Sequence, residues 1–376
     1  MVDVERRRGE TIPARRRLDR RGARSDASRA PDSGAPAPAR RAGQPSAGAA
    51  RRLRYAPPPL DPRSRADTSV RVLLESLLEA LRSQQEGVRR DDPDALHDFR
   101  VALRRARCLI GQLRGVLAAD ELEHFRREIR WLGALSGPVR DRDVLLERLA
   151  SSRRGLAPEE EAALEPLLAL LRRERDAARL EIHQAMGSAR YRRLLDEWER
   201  VASARDDEPS DGAGDPPPPS GAKTAARPVA AVAAEAIERA WRRLLRHGRA
   251  ASEKSSAEAL HRVRIDGKKL RYLLELFQSA YPGVDLGPTV SALKRLQDSL
   301  GELNDATVRE ESLRRLGRSL AADGAGADTL LLTGGFMERA RAAGADARSR
   351  FAERFAPLAA KETRRNIRRL AQEGAA

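Results

Sequence analysis

The sequence predicts an all-α protein built from two similar halves. Apolar residues recur at spacings of three and four from Thr68 onward, as helices require, and no stretch of useful length alternates as a strand does. The stretch LHDFRVALRRAR at 96–107 returns as LHRVRIDGKKLR at 260–271, an offset of 164 residues. The same offset, without a gap, aligns SGPVRDRDV at 136–144 with LGELNDATV at 300–308. Two motifs that share one offset indicate an internal duplication and predict two pseudo-symmetric helical bundles.

The charge is unevenly distributed along the chain. Residues 1–66 are rich in Arg, Ala, Pro, Ser and Gly, so we expect a disordered basic tail. This tail contains 17 Arg against 7 Asp and Glu, which is +10 of the net charge of +16. We expect residues 67–376 to form the helical domain. Its halves are predicted at 67–204 and 229–376, on either side of a proline-rich linker loop at 205–228.

Glycines mark the expected helix ends near the second repeated motif. The Gly137–Pro138 pair predicts a break between two helices of the first half, and Gly301 predicts the corresponding break in the second half. Asp141 and Asp305 follow these glycines, and we interpret them as entering the next helices in ordinary capping positions. The alternative is that Arg140 and Asn304 reach an anion from these turns.

The repeated helix carries a row of cations beside its apolar seam. Side chains at this spacing lie on one face of a helix, and like charges there repel by a few tenths of a kcal/mol per pair. Neither row contains an acidic residue, so two matched rows indicate that an anion offsets the repulsion. The alternative is a solvated basic face. The rows are His97, Arg100, Arg104 and Arg107 in the first copy, and His261, Arg264, Lys268 and Arg271 in the second.

A row of one cation per helical turn suits an extended chain of phosphates. Arg offers a planar fork of donors to phosphate oxygens, and Lys offers a point charge. His97 and His261 would be drawn toward their charged forms beside phosphates, although packing at a helix start is the alternative for each. No Cys, His or carboxylate recurs near them at metal-ligand spacing, so we expect neither a metal nor another cofactor.

Composition excludes several function classes. Aromatic residues make up only 3% of the chain, which leaves little for base stacking. Cys108 is the only cysteine, so no disulfide framework is expected. No apolar stretch approaches a membrane span, and the arginine-rich start lacks the apolar core of a secretory signal. Phosphate-loop, nucleophile-elbow and HExxH signatures are absent, so we expect no enzyme.

Four motifs in order resemble the CHAD family, the conserved histidine α-helical domain. They are the two repeated stretches, WLGALSGPVRDRDVL at 131–145 and LKRLQDSLGELNDATV at 293–308, and the similarity covers about 68–369. The resemblance implies two helical bundles from an internal repeat and binding of inorganic polyphosphate, often at polyphosphate granules, without a cofactor. It adds four basic positions to the two rows, namely Arg105, Arg130, Lys269 and Lys294.

We therefore predict a cytoplasmic polyphosphate-binding protein whose two basic rows hold one linear anion. The first alternative is a nucleic-acid-binding protein that uses the arginine-rich tail. The second is a hydrolase of phosphate chains with His97 or His261 as its acid, base or nucleophile. Family members are often fused to a triphosphate-tunnel domain marked by an ExExK motif. That motif is absent here, so triphosphatase activity is not implied.

Overall fold

Twelve α-helices form the part of the chain described by the computed structural model, residues 55–113, 115–204 and 223–374. The first half contains α1 (Ala66–Arg82), α2 (Gln85–Arg89), α3 (Pro93–Gln112), α4 (Ala119–Ser152), α5 (Pro158–Gly187) and α6 (Ala189–Ser203). The second contains α7 (Val229–Ala250), α8 (Ala257–Phe277), α9 (Gly287–Ala322), α10 (Ala327–Ser349), α11 (Phe351–Ala359) and α12 (Lys361–Glu373). Within these ranges no residue lies in a β-strand, and an isolated bridge pairs Arg65 with Pro228. The all-α prediction is confirmed.

The predicted helix breaks at Gly137–Pro138 and Gly301 are wrong. Both positions lie inside single long helices, α4 and α9. The physical reason is burial on both sides of the expected break. In α4, Leu132 and Leu145 are both buried, although they belong to different apolar clusters. A continuous helix lets α4 supply both clusters, which outweighs the local cost of a proline in its interior.

Two apolar clusters support the fold. The larger one contains buried residues from helices of both halves, including Phe99 on α3 and Phe277 on α8. The smaller one forms where the C-terminal parts of α4 and α9 meet α5 and α10, and it includes Leu149, Leu168 and Leu316. α4 and α9 therefore each contribute buried residues to both clusters. These contacts fix which side of each helix is turned away from the apolar core.

The two halves meet along their corresponding helices. α1 packs on α7, and α3 packs on α8. The starts of α3 and α8 lie 164 residues apart, at Pro93 and Ala257, which equals the offset of the repeated stretch. The duplication itself stays a prediction, but the meeting of α3 and α8 brings the two repeated helices into direct contact.

The chain before α1 is anchored to the helices. Leu60 is buried, and its backbone N–H donates to the Ser279 hydroxyl at 3.0 Å. The Tyr55 hydroxyl lies 2.8 Å from the hydroxyl of Ser76. The predicted tail boundary at residue 66 is therefore too late, because two apolar side chains in an otherwise polar segment find core contacts. Residues 1–54 of that tail, and 205–222 of the predicted linker loop, lie outside the described residues. Every helix in the described ranges is too short or too polar to span a bilayer.

Two glycine substitutions should change the stability in opposite directions, one in the contact between α7 and α11 and one on the open surface of α10. A Cβ at Gly248 would overlap the ring of Phe355, so Gly248→Ala should destabilise the protein by about 1–3 kcal/mol. Gly334 in α10 has no neighbouring atom within 4 Å of such a Cβ, so Gly334→Ala should stabilise by about 0.5–1 kcal/mol. Guanidinium unfolding of both variants checks the pair. Equal effects would contradict the described α7–α11 contact.

Candidate functional site

The contact between α3 and α8 is closed by one glutamate that accepts hydrogen bonds from both repeated helices. Arg105 donates from Nη2 to Oε2 of Glu275 at 3.1 Å, and Arg271 donates from Nη1 to Oε1 at 3.3 Å. All three side chains are less than a quarter exposed. The Arg105 guanidinium also lies 4.7 Å from the ring centroid of Tyr55. Arg105 therefore bonds across the helix contact and Arg271 bonds within α8, and Glu275 neutralises part of the charge of both predicted anion-binding arginines.

A second contact lies beside this bridge. The buried Cys108 thiol on α3 donates a weak hydrogen bond to the backbone oxygen of Lys269 on α8, at 3.6 Å. Burial raises the pKa of this thiol to about 12, so it stays protonated and unreactive. The predicted binding residue Lys269 is thus placed at the edge of the helix contact.

Arg104 lies where the two basic rows meet. It acts electrostatically on Arg100 of its own helix and on both Arg264 and Lys268 of α8. We call these four residues the central cluster. Within the described ranges none of the four is in an ion pair, in contrast to Arg105 and Arg271. The structure thus brings cations of both predicted rows into one place, where no carboxylate of the described residues forms an ion pair with them.

The central cluster holds its charges at an energetic cost, as its pKa values indicate. Burial and then the charge of Arg104 lower the pKa of Arg100 to about 10, against the attraction of Asp141. Burial also lowers the pKa of Arg264, against the attraction of Asp305. For Lys268, burial and then the charges of Arg264 and Arg104 lower the pKa to about 7. A bound anion would reverse these effects, because it stabilises every charged form at once.

The two glycines of the second motif make room for the arginines. A Cβ at Gly137 would lie 3.4 Å from Nη1 of Arg100, and a Cβ at Gly301 would lie 4.0 Å from Nη2 of Arg264. Arg100 also donates from Nη1 to the buried Ser136 hydroxyl at 3.1 Å. Each half therefore lays its arginine over a glycine in the next long helix.

Asp141 and Asp305 face the central cluster from α4 and α9. The interpretation of them as residues entering a new helix is wrong, because both lie well inside a helix. Although Asp141 keeps one side open to solvent, desolvation by the surrounding protein raises its pKa. Arg100 and Arg104 oppose that rise, while Asp305 adds to it, so the two carboxylates are neighbours. Two carboxylates leave the four-cation cluster with a net positive charge.

A cavity of about 150 Å³ opens beside the first row. A larger depression of about 770 Å³ lies away from the cluster, between α5 and α10. It is lined by four acidic residues and one arginine, which makes it unsuited to a polyanion. The smaller cavity is lined by Arg100, Leu103, Arg104, Arg107, Ile129, Gly133 and Ser136.

Comparisons with known proteins identify the fold family. The sequence model of the CHAD domain matches residues 72–314 of this chain. The chain belongs to the CHAD family. The crystal structure of the CHAD domain from the plant Ricinus communis superimposes with a TM-score of 0.63 at 25% identity. That match covers 82% of this chain and 96% of the plant domain. PptA from Streptomyces chartreusis has a TM-score of 0.57 at 21% identity over 78% of this chain and 99% of its own, and supports the fold alone.

Two curated relatives come from Mycobacterium tuberculosis, one from strain ATCC 25618 / H37Rv and one from strain CDC 1551 / Oshkosh. Both are uncharacterized proteins, and each is 31% identical to this chain over 278 residues. The alignment covers 72% of this chain and 48% of each relative. This CHAD chain therefore spans about half the length of the curated relatives it matches.

The remaining predicted residues of this CHAD domain surround the central cluster at greater exposure. His261 lies at the exposed start of α8, where its Nδ1 is 2.9 Å from Oδ1 of Asn304 on α9. His97 and Arg107 are exposed on α3. Arg130 and Lys294 are exposed on α4 and α9, and Arg130 donates from Nε to the backbone oxygen of Arg126 at 3.2 Å.

Sequence reasoning missed two arginines near this site. Arg309 on α9 has its pKa lowered by burial and by the charge of Arg148 on α4, against the attraction of Asp305. Arg309 follows Asp305 by four residues, and Arg148 follows Arg140 by eight. Both spacings place the pairs on one face of a helix. Both pairs lie after the glycines of their helices, so their spacing is readable from the sequence. Only the packing of α4 and α9 shows that they lie near the cluster.

Lys268 predicts a pH-dependent gain in stability when its charge is removed. Its folded pKa of about 7 lies below the unfolded value of about 10.4, so the unfolded chain binds more protons between these pH values. Below about pH 7 the charge of Lys268 lowers the free energy of unfolding by its full amount. That loss is recovered as the pH rises from about 7 to about 10.4. Lys268→Met should stabilise by about 1–2 kcal/mol at pH 6, reduced by residual solvation, and by little near pH 10. Urea unfolding in phosphate-free buffer measures it, and a gain that is independent of pH would contradict it.

Proposed function

We propose that this protein binds inorganic polyphosphate at the central cluster. The observation that carries the proposal is the convergence of Arg100 and Arg104 of one half with Arg264 and Lys268 of the other. These side chains lie half-buried and form no ion pair among the described residues, and the nearby carboxylates of Asp141 and Asp305 offset only part of their charge. The buried Nε of Arg264 in addition makes no hydrogen bond within them. Such an arrangement is unfavourable alone and favourable around an anion.

A linear chain of phosphates fits this site better than a single phosphate does. The cations extend from the exposed His97 end of α3, through the central cluster, to the His261 end of α8. A chain that follows them meets a donor at every helical turn, about 5.4 Å apart. Asp141 and Asp305 border the path, and they repel an anion that strays from the cations.

The aromatic side chains at the α3–α8 contact favour polyphosphate over nucleic acid. Single-stranded nucleic acids bind by stacking bases on exposed aromatic rings. Tyr55 and Tyr272 lie near the cluster, but the guanidinium of Arg105 covers Tyr55 and that of Arg271 lies 5.2 Å from the Tyr272 centroid. Neither ring offers a stacking platform, whereas phosphates need none.

We infer binding without hydrolysis. Among the described residues, no group of three or more His, Cys, Asp and Glu side chains is placed to hold a metal ion. His261 is engaged by Asn304 rather than by a carboxylate that would orient it as a base. We expect this chain to hold polyphosphate at polyphosphate granules. In the longer relatives we expect the same domain to bind polyphosphate beside the function of the remaining chain.

Charge removal at the cluster should weaken polyphosphate binding. Arg100→Ala and Arg264→Ala each remove a charge-assisted contact of about 1.5–3 kcal/mol, which corresponds to roughly a tenfold to hundredfold loss of affinity. Each should also flatten the dependence of log Kd on log salt, because fewer counterions are released. Arg368→Ala is the matched control, since Arg368 is an exposed arginine on α12. Fluorescence anisotropy with labelled polyphosphate checks this. Equal losses in all three variants would mean attraction by net charge alone.

Competition with nucleic acids tests the choice of ligand. The full chain, loaded with long-chain polyphosphate at near-physiological salt, should resist displacement by RNA or duplex DNA at equal phosphate concentration. A matched titration of the chain shortened to 55–376 separates the tail from the helical domain, and we expect the shortened chain to retain binding. Displacement by nucleic acid at equal concentration, or loss of binding with the tail, would favour the nucleic-acid function instead.

A further inference from the structure

Lys268 differs from every other lysine of the chain in its surroundings. The chain contains six lysines among its 72 basic residues. Lys269 lies at the α3–α8 contact. Lys268 alone is half-buried within the central cluster. The other four are exposed, namely Lys223, Lys254, Lys294 and Lys361.

The charges around Lys268 come from three helices. On α8, Arg264 precedes it by four residues and Arg271 follows it by three, so both lie on its face of the helix. Across the helix contact lies Arg104 of α3, and on α9 lies Asp305. The charges that act on Lys268 are therefore three guanidinium groups and one carboxylate, and the guanidinium of Arg271 is itself hydrogen-bonded to Glu275. Guanidinium groups bind phosphate and stay charged at every relevant pH, whereas the amine can lose its proton and act as a nucleophile.

We propose that Lys268 is a modification site at which small acyl phosphates acylate the side-chain amine. Arg104 and Arg264, which form no ion pair among the described residues, hold the phosphate group of the reagent, which places the adjoining carbonyl carbon beside Nζ. Proximity of this kind replaces a bimolecular encounter by a reaction within a bound complex. In the free protein, burial and then the same cations lower the pKa of Lys268 to about 7, so part of the amine is neutral near neutral pH. The bound phosphate group opposes this effect, so acylation proceeds through the fraction of Lys268 that stays neutral.

The reaction balances with the acyl phosphate as its only co-reactant. The neutral Nζ attacks the carbonyl carbon and forms the C–N bond of an amide. The bond between that carbon and the phosphate oxygen breaks, and the phosphate leaves with the electron pair. The amine proton passes to the departing phosphate, so inorganic phosphate is released. No oxidant, reductant or metal takes part in this transfer.

Acylation at this position gives the binding site a chemical switch. The amide carries no charge, so the central cluster falls from four cations to three. The inference deepens the proposed function, because the switch matters only where the cluster binds polyphosphate. Bound polyphosphate would in turn occupy the same guanidinium groups and protect Lys268 from acylation.

Comparison of two acylating reagents on the full chain tests the proposal. Acetyl phosphate carries the anion that the arginines recognise, whereas acetic anhydride is neutral and reports the intrinsic reactivity and accessibility of each amine. Mass spectrometry of peptides gives the acetylation rate at each of the six lysines. For each reagent, the rate at Lys268 is divided by the rates at the exposed Lys254 and Lys361. This ratio should be at least about tenfold larger for acetyl phosphate than for acetic anhydride. The same ratio for both reagents would overturn the proposal.

Two further arms separate this inference from the proposed function. Arg104→Gln should remove most of the acetyl phosphate preference at Lys268, whereas Arg368→Gln should leave it unchanged. Long-chain polyphosphate should slow acetylation of Lys268 in the unchanged chain and leave Lys361 unaffected. Tight polyphosphate binding by a chain in which acetyl phosphate shows no preference for Lys268 would refute the modification site and leave the proposed function standing. A preference for Lys268 in a chain that binds no polyphosphate would refute the proposed function and retain the acylation site.

Discussion

The sharing of Glu275 between Arg105 and Arg271 is the interaction on which the rest of the site depends. The 3.1 Å hydrogen bond from Arg105 joins α3 to α8, and the 3.3 Å hydrogen bond from Arg271 holds Glu275 in place within α8. Because this bridge fixes the two helices against each other, Arg104 lies beside Arg264 and Lys268 and the two rows become one surface. Removal of Glu275 would leave two half-buried arginines without their partner, a loss far larger than that of an exposed ion pair.

The apolar clusters provide the stability that an uncompensated cluster of cations requires. Phe99 and Phe277 are fully buried on the apolar faces of α3 and α8, beside the rows of cations, and their burial stabilises the positions of both helices. The lowered pKa values of Arg100 and Lys268 show that the cluster itself opposes folding. Binding sites commonly lower the stability of the folded protein, because the groups that bind the ligand are unfavourably placed when it is absent.

The sequence predicted the helices and the rows, because both depend on local spacing. Apolar periodicity and the offset of 164 residues are enough to pair His97 with His261 and Arg104 with Lys268. Local spacing failed at Gly137–Pro138, where turn residues predict a break and burial on both sides overrides them. It also could not divide the predicted arginines into structural and binding groups. Glu275 lies four residues after Arg271, but its second partner, Arg105, depends on how α3 crosses α8.

The central claim is that cations from both halves form one site, and calorimetric titration with tripolyphosphate tests it most directly. The unchanged chain should show a single binding event with a stoichiometry of one. Arg100→Ala from the first half and Arg264→Ala from the second should each weaken that same event, and the double substitution should show coupling between them. Two independent events, each sensitive to only one of the substitutions, would contradict the account and place a separate anion site in each half.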